Sequence, residues 1–96
     1  MIGSDAMLQI NDILSDLRQQ LLAARNIVDT TAKTKAACLI LDVCGVLVES
    51  AYRVDDRPVA GILEDLLDSA RDTAQGVEWK STIPTEDDIR KATMGA

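Results

Sequence analysis

A chain of 96 residues that is 47% apolar is sized for one small folded domain with a modest core, too hydrophobic to stay disordered. Ten basic residues against sixteen acidic ones give a net charge of −6, which leaves no basic patch for a phosphate backbone and argues against direct nucleic-acid binding. With no histidine and two cysteines, the chain can build neither a Ser-His-Asp triad nor a standard zinc site of its own.

Tyr52 and Trp79 are the only aromatics, so the core must be Leu, Ile, Val and Ala. That mixture, with few Gly and Pro, predicts helices packed on helices. The opening "MIGSDAM" has neither the basic region nor the apolar core of a signal peptide. Its Gly3-Ser4 pair resembles a cloning remnant, with Met7 a candidate natural start.

The first predicted helix spans about 5–29, with Ser4 or Asp5 as its N-cap. Met7, Ile10, Leu14, Leu17, Leu21, Ala24 and Val28 alternate spacings of three and four, a heptad-like seam flanked by Ile13 and Ile27. "DTTAKTK" (29–35) reads as a polar break, short enough to make the next helix an antiparallel neighbour.

The second element, about 35–53, holds "LILDVCGVLVES". These twelve residues resemble the first motif of haloacid dehalogenase-like phosphohydrolases, where a β-strand delivers a nucleophilic Asp into a turn. The resemblance implies that Asp42 is the nucleophile and a Mg²⁺ ligand, with Gly45 and Val46 forming the turn. Cys44 stands where that family has a second Asp, and a thiol does not replace a carboxylate there. No alternating strand and helix units follow. Tested as a helix, the segment places Lys35, Asp42, Glu49 and Arg53 on one narrow polar stripe, with nearly everything else apolar. The helix is the preferred reading. It makes Cys38 and Cys44 two buried, reduced thiols too far around the helix to pair, as expected in the cytoplasm.

A third helix is predicted over 57–75. Asp55 or Asp56 is its cap, Pro58 lies in its first turn and Gly76 at its end. Val59, Ile62, Leu63, Leu66, Leu67 and Ala70 form its apolar face; Glu64, Asp65, Asp68, Arg71 and Asp72 face water. "VEWKSTIP" (77–84) reads as a linker. A short helix at 85–94 follows, with Thr85 as N-cap, acids in its first turn and bases in its last.

The expected architecture is one all-α domain over 1–96: a small antiparallel three-helix bundle plus a short C-terminal helix, dimerised through its first two helices. Helix one is expected to outrun its neighbours, and helix two is too apolar for two neighbours to cover. A second copy, or else a helix from another protein, is the expected cover. The C-terminal segment folding back, with Trp79, Ile83, Ile89 and Met94 as caps, is a third option. Candidate partner-binding residues are Ile10, Leu14, Leu17 and Leu21 on helix one, and Leu39, Val43 and Leu47 on helix two.

The chain thus reads as a non-enzymatic adaptor, inhibitor or regulatory subunit, bacterial or phage-like in style, cytoplasmic, with no cofactor and no membrane span. Two alternatives stand beside it. Asp65, Asp68 and Asp72, with Asp42 or Glu49, have a spacing similar to the Mg²⁺-binding acids of all-α nucleotide pyrophosphatases, which implies a small metal-dependent phosphohydrolase. The acidic surface also suits a decoy for a DNA-binding surface.

Overall fold

The computed structural model describes residues 2–76 and 83–94. It is all-helical, with α1 (Ile2–Arg25), α2 (Thr30–Arg53), α3 (Arg57–Gln75) and α4 (Glu86–Thr93), and no strand among the described residues. The segment Leu39–Ser50 lies wholly inside α2, so the strand and turn implied by the phosphohydrolase resemblance are not formed. Gly45 is mid-helix, with open space where a Cβ would sit.

The first break is earlier than the sequence suggests. The amides of Asn26 and Ile27 bond to the carbonyls of Ala23 and Ala24, a tightened last turn that ends α1. The side chain of Asp29 then accepts from the Ala32 amide at 2.8 Å and caps α2. A cap of this kind contributes about 1 kcal/mol, enough to draw Thr30, Thr31 and Thr34 into helix despite their modest propensity. Val28, expected on the seam, lies outside α1 and is 96% exposed. The predicted caps Ser4 and Asp5 are within the α1 backbone. Both α1 and α2 are 24 residues long, so of its two long neighbours α1 outruns α3, which has 19, and not α2.

The turn from α2 to α3 forms where expected. Asp55 takes a left-handed φ of 57°, and the Asp56 amide closes on the Ala51 carbonyl at 2.8 Å. Asp56 caps α3, Pro58 sits in its first turn, and Gly76 ends it at φ 70°. The α2–α3 hairpin is the most extensive packing in the molecule. Small buried residues on both helices, Ala37 and Ala51 on α2 and Ala60 and Ala70 on α3, permit close approach of the two backbones.

Leu14, Leu17, Leu21 and Ala24 of α1 join Ile40 and Cys44 of α2 and Val59, Leu63, Leu66 and Ala70 of α3 in one core. Helix α4 packs on α1 and α3 and not on α2. A capping box between Thr85 and Asp88 starts it, and Ile89 is fully buried. The Ser15 hydroxyl donates to both carboxylate oxygens of Glu86 at 2.9 Å, while Arg18 donates to the Pro84 carbonyl at 2.8 Å. The C-terminal segment thus folds back and closes the groove between α1 and α3. Ile83 is half-buried there, Met94 is exposed, and Trp79 lies outside the described residues.

Candidate functional site

The groove on the other side of α1 has no such cover. Helices α1 and α2 run antiparallel, and two open apolar hollows lie between them. One, of about 210 Å³, is floored by Ile10, Ile13 and Leu14 of α1 against Leu47 and Ala51 of α2 and Val54 just beyond its end, with Val59 and Leu63 behind. The other, of about 260 Å³, lies between Gln20, Ala23 and Ile27 of α1 and Ala36, Leu39 and Ile40 of α2. Between them Val43 is 45% exposed, and Leu39 and Val46 are 68% and 65% exposed. Spaced by four and three, these three form one stripe along α2. The stripe and the hollows make a continuous apolar trough.

This placement redistributes the candidate binding residues. Leu14, Leu17 and Leu21 are buried in the bundle's own core, so they hold α1 in place and leave little surface to offer. Ile10, Leu39 and Val43 stay open, and Leu47 is half-buried in the wall of the first hollow. The buried side of α2 is formed by Ala37, Ile40, Cys44 and Ala51. On a helix apolar around most of its circumference, periodicity does not say which apolar side faces the core. The same ambiguity applies to Val46. Of the two cysteines only Cys44 is buried, and burial pushes its thiol up to about 11; Cys38 is exposed. Lys35, Asp42, Glu49 and Arg53 lie on the exposed edge of α2, as the polar stripe implied.

The acids considered for metal chemistry do not assemble. Among the described residues no three acids or cysteines come together in a group fit for a metal ion. Asp65 and Asp68 are exposed on α3, and Asp68 pairs with Arg71 at 3.5 Å. The Asp65 carboxyl is pushed above its usual value, first by partial burial and then by the charges of Asp68, Glu64 and Asp88. Asp72, expected in water, is half-buried, and its charge acts on the half-buried Arg25 of α1. Burial lowers the Arg25 guanidinium and the Asp72 charge opposes that shift. The helical wheel of either helix alone does not show that these two charges come near one another. Tyr52 donates to Glu64 and ties α2 to α3 at the surface.

The chain matches no family model, and no curated protein or solved structure is significantly similar to it. No helix among the described residues is long and apolar enough to cross a membrane.

Proposed function

We propose that this chain is a non-enzymatic interaction protein that buries its α1–α2 trough against another polypeptide. One observation carries the reading. The two grooves flanking α1 differ: α4 seals the α1–α3 groove through Ile89, while the α1–α2 groove keeps an exposed apolar stripe and two apolar hollows. Full burial of a Val, Leu or Ile stabilises by about 1.5–3 kcal/mol. Scaled by their exposed fractions, Ile10, Ile13, Leu39, Val43 and Val46 together offer roughly 4–8 kcal/mol. Association costs about 4–15 kcal/mol, so the stripe alone supports weak binding, and filling the hollows must supply the surplus.

A homodimer is the second reading. Leu39, Val43 and Val46 form a single straight stripe that a two-fold axis lays antiparallel on its own copy. Cytoplasmic placement goes with either reading and is supported by two cysteines that remain free thiols.

Mass by light scattering on a sizing column, at low micromolar concentration in low and high salt, tests these readings on the parent and on Val43→Asp. Val43 is half exposed, so the variant should keep the parent's helicity. A salt-resistant dimer that Val43→Asp converts to a folded monomer supports the homodimer. A parent monomer moves the reading to a different protein, whose recovery from native extract should then be lost in Val43→Asp. If the substitution alters neither self-association nor recovery, the trough is not the working face.

A further inference from the structure

Beside the apolar stripe, the outer edge of α2 carries a line of charge. Lys35, Asp42 and Glu49 recur at heptad spacing and Arg53 stands one turn beyond Glu49, so all share one side of the helix. They are exposed, and none forms an ion pair among the described residues. The charges that do pair lie elsewhere: Asp55–Arg57 at the α2–α3 turn, Asp68–Arg71 on α3, Asp87 with Arg90 and Lys91 on α4, and Glu86–Arg18 where α4 meets α1. Along α2 the line reads base, acid, acid, base. It is an electrically balanced edge on a chain whose net charge is −6.

A line of mixed sign favours neither a basic nor an acidic helix, since either would meet both signs. A second copy carries the complement within itself. A two-fold normal to the plane of two side-by-side helices makes them antiparallel and sets the same flank of each against the other. The apolar stripe then chooses the register. Leu39 comes opposite the partner's Val46, and Val43 lies beside the axis next to its own counterpart. In that register Lys35 falls within one residue of the partner's Glu49, and symmetry repeats the pair at the other end. Sliding the helices by a heptad would set Val43 against the partner's Lys35 in one direction, and Asp42 beside the partner's Glu49 in the other. A parallel pairing would set every edge charge against its own copy, which like-charge repulsion selects against. The one mismatch in the antiparallel register is Asp42, which faces its counterpart across the axis.

We propose that a second copy of this chain occupies the α1–α2 trough, with α2 antiparallel on α2 about a two-fold beside Val43, Leu39 on the partner's Val46, and Lys35 paired with the partner's Glu49 at both ends. This rests on the reading of the trough as the interaction face, and the test separates the two. Sedimentation equilibrium of the full chain across the micromolar range gives the dimer dissociation constant. Lys35→Glu and Glu49→Lys should each weaken the dimer about three- to thirtyfold, because each change breaks both symmetry-related pairs. The two together reverse both pairs and should return the constant to the parent's. Asp42→Asn should tighten the dimer about two- to fivefold by removing the like-charge contact. Arg71→Glu changes the net charge as Lys35→Glu does but lies on α3, and should leave the constant unchanged. All these positions are exposed, so each variant should keep the parent's helicity by circular dichroism.

A dimer that Val43→Asp abolishes but the double reversal does not rescue would keep the trough and overturn the antiparallel register. A dimer indifferent to Val43→Asp and to the edge variants would overturn both the register and the trough. A parent that stays monomeric at high micromolar concentration would overturn the second copy alone, with the trough then judged by whether Val43→Asp abolishes recovery of another protein.

Discussion

Ile89→Ala tests whether α4 is held by the bundle or merely lies beside it. Ile89 is fully buried, and it is the only residue of α4 that is. Truncating a buried Ile to Ala costs about 2–5 kcal/mol, from lost burial and the cavity left behind. Eight residues do not hold a helix in water unaided, so α4 depends on this contact and on the Glu86 contacts with Ser15 and Arg18. Because α4 can detach before the rest unfolds, the loss is limited to its docking free energy, and the lower part of the range, about 2–3 kcal/mol, is expected. At about 4–8 °C per kcal/mol for a domain of this size, the midpoint of thermal unfolding followed by circular dichroism should fall by roughly 8–24 °C. Amide exchange over 86–93 should accelerate more than in α2 or α3. A midpoint within about 2 °C of the parent, with α4 protection unchanged, would refute the packing argument.

Asp55→Gly should stabilise the α2–α3 turn by roughly 0.5–1 kcal/mol, read as a higher urea midpoint, because a left-handed φ is a strain for any side chain and none for glycine; loss of the exposed Arg57 pair subtracts little. Near neutral pH a thiol reagent should label Cys38 quickly and Cys44 only after denaturation, since Cys44 is buried with its thiol pushed up to about 11; equal rates would contradict its burial. Asp65 has a folded-state value raised above its ordinary 3.8, so its ionised form is disfavoured in the fold. Its contribution to stability should therefore decline as pH rises from about 3.8 through the folded value. Asp65→Asn should then be more stable than the parent at neutral pH and lose that advantage in acid, in paired denaturation curves.

What the sequence determined by itself is what local chemistry controls. The spacing of apolar residues specified four helices, and Asp56, Pro58, Gly76 and Thr85 marked their ends, because capping and turn conformations depend on a few adjacent residues. The polar edge of α2 was legible for the same reason: Lys35, Asp42, Glu49 and Arg53 recur at helical spacing. Asp29 was the local signal that misled, since an acid after an apolar seam reads equally as the end of one helix or the cap of the next.

Only the tertiary structure decided which apolar surface is used up inside the molecule. Leu17 and Leu39 look alike in sequence, yet one is buried and the other is 68% exposed. The difference arises because α4 covers one side of α1 and leaves the other open, a consequence of where the chain returns rather than of any residue's own preference. The same holds for Arg25 and Asp72, which lie 47 positions apart and whose charges act on one another only because α1 lies on α3. Hydrophobic burial is non-directional, so a pattern specifies that a face will be covered and not by which neighbour. That choice left the α1–α2 trough open.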